Sequence, residues 1–240
     1  MKIEIWSDFA CPFCYIGKRR LEQALENFQH REDVIIQYKS YELDPNATSN
    51  HDKTIHELLA HKYQIPIEQA IAMNEDIGAQ ATQVGLEFRF DTMKPVNTLD
   101  AHRLAKFAEA NGKGKEMVER LLKAYFSESK HIADHETLIS LGEEVDLCPK
   151  EIKQMLEGCK YTKMVRDEED QAKQIGVQGV PFFVINEEYG VSGAQPSEVF
   201  LEILEKIWEE SKQRKNIKVF TKNQETSFCT DDGCHIEETK

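Results

Sequence analysis

Ile3-Glu4-Ile5-Trp6-Ser7-Asp8-Phe9-Ala10-Cys11-Pro12-Phe13-Cys14 stands at the start of the chain, and its reading decides the fold. β-Branched and aromatic residues from Ile3 to Trp6 predict a strand, and Ser7 to Ala10 a short loop. Pro12 suits the first position of a helix, whose buried side follows at Ile16, Leu21, Leu25 and Phe28. Cys11 is therefore expected at a helix N-terminus.

Thiol chemistry proceeds through the thiolate, and the unpaired amides and dipole of a helix N-terminus favour negative charge there. Cys14 follows one turn later on the same face, with Cβ atoms roughly 5–6 Å apart. A disulfide asks for about 3.8 Å, within reach of a modest local adjustment. A zinc knuckle or two inert cysteines are the alternatives. Zinc wants a second close ligand pair of matching spacing, whereas Cys229 and Cys234 lie at the far end of the chain and are spaced more widely. A redox dithiol is the favoured reading.

Working outward, Asp33 to Leu43 reads as a second strand, closing a βαβ unit with a parallel crossover. From about residue 47 to 169 the period turns helical, through Ile55, Leu58, Ile67, Ile71, Leu99, His102, Met117 and Phe126. The run Asp167-Glu168-Glu169-Asp170 is expected to be a solvated helix face. Gly179-Val180-Pro181 then introduces Phe182-Phe183-Val184-Ile185, a strand whose first position tolerates proline; Tyr189 to Ser192 pairs with it as a hairpin. Pro196 and Ser197 open a last amphipathic helix. The expected organisation is an α/β domain of two pieces, 1–46 and 170–212, interrupted by an all-helical insertion, 47–169, and followed by a tail, 213–240.

The 30 basic residues against 43 acidic ones, a formal charge of −13, argue against a nucleic-acid or anionic-membrane surface. The N-terminus lacks the basic and apolar regions of a signal peptide, which points to a cytoplasmic protein. Six cysteines in a reducing compartment read as redox pairs rather than a structural framework. Cys148 and Cys159 flank a short helix and are expected to be separate, partly buried thiols. His235 beside Cys234 has too few ligands near it in sequence for a metal site, so none is expected.

The segment from Ser7 to Lys18 resembles the active-site segment of DsbA-like thioredoxin-fold proteins, in particular their FrnE branch, with Phe13 where that branch usually carries tryptophan. Gly179-Val180-Pro181 is similar to the cis-proline loop that faces the dithiol in thioredoxin-like proteins. Asn97 to Leu104 is similar to an insert segment of the same branch and of the related 2-hydroxychromene-2-carboxylate isomerases and kappa-class glutathione transferases. The resemblance, over residues 1 to 212, implies a DsbA-type thioredoxin fold and a thiol–disulfide oxidoreductase or disulfide isomerase acting on proteins. It implies Cys11 and Cys14 as the catalytic pair, Phe13, Val180 and Pro181 as residues that meet substrate, and His102 as pocket lining, although the sequence alone favours a packed or exposed helix histidine at His102. No cofactor is expected to be bound, with glutathione or a thioredoxin-type protein as redox partner. Some FrnE-type proteins carry a similar C-terminal Cys-x4-Cys, which implies a second redox pair at Cys229 and Cys234. A glutathione-dependent isomerase or transferase of a small aromatic substrate, and a non-catalytic adaptor, are the other readings. Isomerase and transferase relatives generally place serine where this chain has Cys11, so cysteine at both positions favours dithiol exchange.

Overall fold

The computed structural model describes residues 1–48, 53–214, 226–230 and 233–237, with side chains described as far as residue 212. Strand β1 (Lys2–Ser7) leads into helix α1 (Pro12–Asn27), and β2 (Ile35–Ser40) returns parallel to β1, Lys2 opposite Ile35 and Ser7 opposite Ser40. The helical block comprises α2 (Ile55–Tyr63), α3 (Ile67–Gln83), α4 (Leu99–Ala110), α5 (Gly114–Phe126), α6 (His135–Glu143), α7 (Pro149–Glu157) and α8 (Thr162–Gln174). Strands β3 (Phe182–Ile185) and β4 (Tyr189–Ser192) form the hairpin, and β3 runs antiparallel along the other side of β1, Trp6 opposite Phe182. The order β2-β1-β3-β4 makes β1 central, and α9 (Ser197–Arg214) follows. Strands β5 (Thr226–Thr230) and β6 (Gly233–Glu237) pair as a separate antiparallel hairpin. Two compact units result, Met1–Glu202 and Ile203–Lys240.

The largest buried cluster joins Tyr15 and Ile16 of α1 to Leu104 and Phe107 of α4, Leu121 and Phe126 of α5, and Leu138 of α6. Each face follows the helical period read from the sequence. A second, smaller cluster gathers Trp6 of β1 with Ala172 and Val177, and Val180 and Phe182 pack against it.

The acidic run departs from expectation. Asp167 and Asp170 are exposed, but Glu168 and Glu169 are buried and work on the edge of the sheet. Every second residue of an edge strand turns its amide and carbonyl away from the neighbouring strand, and on β2 those groups find side chains. Ser40 N donates to Glu168 Oε2 at 2.7 Å, and Lys106 Nζ donates to Tyr38 O at 2.7 Å and to Glu168 Oε1 at 2.8 Å. Past the strand, Glu42 N donates to Glu169 Oε1 at 3.0 Å and Leu43 N to Asp8 Oδ2 at 2.8 Å. The pairing register ends at Ser40 opposite Ser7, where β1 itself ends, short of the Leu43 boundary the sequence suggested. The carboxylates stay buried because each receives charged or backbone donors.

Cys148 and Cys159, expected to be partly buried, are exposed. Both lie just outside the ends of α7, whose inward face is Ile152, Met155 and Leu156.

Candidate active site

Cys11 is the N-cap of α1, extended at φ −96° and ψ 112°, and no side chain caps the first turn. The positive end of the helix dipole therefore lies uncapped by any side chain beside the sulfur. The loop is folded around Asp8. Its carbonyl accepts from Cys11 N at 3.2 Å, its amide donates to Cys14 Sγ at 3.4 Å, and its carboxylate receives Leu43 N and Ala10 N. Asp8 Oδ1 also meets His102 Nε2 at 3.3 Å, and the His102 ring lies 4.8 Å from that of Phe9. A residue between β1 and α1 thus ties together the dithiol, the end of β2 and helix α4.

The two thiols are free and lie near one another, close enough for Cys11 to act on Cys14. Cys11 Sγ donates to Val180 O at 3.4 Å, so the Val180-Pro181 loop lies directly over it; the peptide bond between those two residues is cis. Covered in this way, Cys11 keeps only 5 % of its surface, less than the open helix tip the sequence suggested, while its neighbour Phe13 is 36 % exposed. Cys14 is buried beneath. Burial, then the hydrogen bond and charge of Cys11, push its thiol well above the ordinary range, against hydrogen bonds from the Ser7 side chain and the Asp8 amide.

Gly17, one turn beyond Cys14, explains how the loop comes so close. A Cβ there would stand 3.0 Å from Pro181 Cγ and 3.3 Å from Ala194 Cβ. Glycine inside a helix costs about 1 kcal/mol relative to alanine, and here it makes room for the loop. Pro181 O accepts Gly193 N at 2.9 Å, fastening the loop from its other side. Helix α1 is in turn locked to α5 by Glu119, which receives Tyr15 OH at 2.7 Å, Lys18 Nζ at 2.5 Å and the Arg19 guanidinium.

Of the residues singled out from sequence, Cys11, Cys14, Val180 and Pro181 converge, and Phe13 stands at the rim. His102 is 3 % exposed and reaches the dithiol through Asp8. Cys229 and Cys234 face each other in the backbone register of β5 and β6, and their side chains lie outside the described residues. Sequence reasoning assigned nothing to Ser7, Asp8 or Gly17. A mid-helix glycine three residues after Cys14 was the one available signal. Among the described residues no helix is long and apolar enough to cross a membrane.

A sheet with β1 at its centre, a dithiol at the start of α1 and a proline loop above it define a thioredoxin-type redox protein. The sequence matches the DsbA-like thioredoxin domain family over residues 2–205, and the chain belongs to that family. It is similar to the probable DsbA oxidoreductase SCO1869 from Streptomyces coelicolor, with a TM-score of 0.83, 36 % identity, and 99 % of this chain and 100 % of that one covered. The uncharacterized protein YwbO of Bacillus subtilis (strain 168) is 28 % identical over 200 residues, 82 % of this chain and 92 % of that one. The cytosolic disulfide reductase DsbM from Pseudomonas aeruginosa, in its structure with GSH, shares the fold at a TM-score of 0.61 and 17 % identity, covering 87 % of this chain and 100 % of that one.

Proposed function

We propose that this DsbA-like oxidoreductase exchanges disulfides with protein clients through Cys11 and Cys14. The observation that carries the reading is the pair of free, neighbouring thiols at the N-terminus of α1, with Cys11 Sγ 3.4 Å from Val180 O. A client strand pairing with the backbone at Val180 brings its own sulfur over Cys11, and main-chain pairing reads few side chains, which suits varied clients. In the reducing direction Cys11 thiolate attacks the client disulfide, and the mixed disulfide is resolved when Cys14 attacks Cys11 and the client leaves as a thiol. In the oxidising direction a client thiolate attacks the Cys11–Cys14 disulfide. No bound cofactor is needed; glutathione or a thioredoxin-type dithiol resets the pair. Cys229 and Cys234 form a second dithiol, supported by their facing positions in the β5–β6 register. Its exchange with the first pair predicts that the reduction potential of Cys11–Cys14 differs once both tail cysteines are serine.

Turnover of insulin disulfides or of scrambled ribonuclease tests the reading. Cys11→Ser should abolish it, and a variant that turns over as fast as the unsubstituted chain removes the proposal.

A further inference from the structure

Cys11 faces Val180, while Cys14 is buried and accepts the Asp8 amide at 3.4 Å, with the neighbouring Ser7 side chain acting on its thiol as well. Behind Ser7 lies a cavity of about 260 Å³ between β2, α4 and the start of α5, lined at its inner end by Ser7, Ser40, His102 and Lys106. Its outer end is formed by Gly112 and Lys115, both exposed. The Ser40 hydroxyl, on a residue 1 % exposed, has no hydrogen-bond partner. A cavity of this size and polarity accommodates several waters, each with protein partners to bind.

The site needs such a passage. When a client is joined to Cys11, the front of the dithiol is covered, yet Cys14 must lose a proton before it can attack. The bond of Asp8 to Cys14 is made by its amide, which donates and cannot take the proton. Ser7, with a hydroxyl that both accepts and donates, can pass it on. His102 lines the cavity beyond, and the bond of its Nε2 to Asp8 holds that nitrogen as the N–H, leaving Nδ1 as the basic one.

Building on the exchange reading above, we infer that His102 receives the proton of Cys14 through Ser7 and water in this cavity, and that the cavity is the route by which the proton reaches solvent. The Cys14 S–H bond breaks and its proton passes toward His102. The sulfur's electron pair forms the Cys14–Cys11 bond, the bond from Cys11 to the client breaks, and the client sulfur leaves with that electron pair to be protonated from solvent. The dithiol is oxidised by two electrons and the client reduced by two.

Stopped-flow reaction with an aromatic disulfide reagent separates the two steps, in the full chain with Cys148, Cys159, Cys229 and Cys234 replaced by serine. Release of the first aromatic thiolate reports attack by Cys11, and release of the second reports resolution by Cys14. His102→Ala should leave the first phase within about twofold and slow the second about 10²-fold, the usual worth of an acid–base group. Imidazole should restore that second phase in proportion to its concentration, without accelerating the unsubstituted chain. His102→Gln keeps a donor for Asp8 but no basic nitrogen, and should be equally slow. Ser7→Ala should slow the second phase and Ser7→Thr preserve it. A second phase unaffected by His102→Ala or His102→Gln, or equal slowing of both phases with no response to imidazole, overturns the inference while leaving the exchange reading intact. Absence of both phases before any His102 or Ser7 change overturns both.

Discussion

At the scale of single residues, the two cysteines differ because their surroundings differ. Cys14 is buried against its partner, and both effects disfavour its thiolate. A raised value means that the reactive anion emerges only at higher pH. Iodoacetamide at about pH 8 should therefore modify the exposed Cys148 and Cys159 at least tenfold faster than Cys14, with the lag narrowing as pH rises; mass spectrometry of the labelled peptides measures it. Gly17 acts through space alone. A valine there drives its methyl groups into Pro181 and Ala194, so Gly17→Val should lower disulfide turnover at least tenfold by shifting the loop off Cys11. Urea unfolding should show a loss of about 1–3 kcal/mol, the usual cost of overpacking.

At the scale of elements, the placement of α1 depends on charged groups as much as on apolar ones. Burial acts to raise the Glu119 carboxyl, but the charge of Lys18 and hydrogen bonds from Arg19, Lys18 and Tyr15 outweigh it and bring it from 4.5 to about 2. A carboxyl lowered in the folded state contributes stability that is complete above its unfolded value and disappears as pH falls through the folded one. Glu119→Gln should thus destabilise the protein by on the order of 1–2 kcal/mol near pH 7, allowing for screening at a partly exposed group. The gap should close between pH 4.5 and about 2, as read by urea unfolding across that range. Helix α8 shows the same reliance on polar groups, since its Glu168 and Lys106 of α4 occupy outward bonds of β2 that another strand would otherwise fill, and its Glu169 holds the chain just past the strand.

Over the whole molecule, the formal charge of −13 acts on encounter with clients before any specific contact is made. A basic disulfide client should be attacked faster at low ionic strength than at about 0.2 M salt, and an acidic one more slowly. Steady-state kcat/KM over a salt series measures the two trends, and equal slopes would show that net charge has no part in selection. Cavity, dithiol and proline loop all lie within the unit Met1–Glu202, so the redox site and its route inward are assembled by one compact body.

The early strand, the helix starting after Cys11, the helical block and the β3–β4 hairpin were legible because each is written in neighbouring residues: alternation, a period of 3.6, proline at a first turn. The Cys-x-x-Cys spacing likewise carried its chemistry in four residues, and resemblance added the loop at Pro181. Packing decided the rest. Nothing local distinguishes Glu168 and Glu169 from Asp167 and Asp170; their roles come from which side of α8 meets the edge of β2, in a bond spanning 128 positions. Asp8 and His102 are 94 positions apart, and Gly17 has a purpose only opposite Pro181. Local sequence determines how a segment folds along its own axis, whereas burial, pairing and the cavity behind Ser7 depend on how those axes are set against one another.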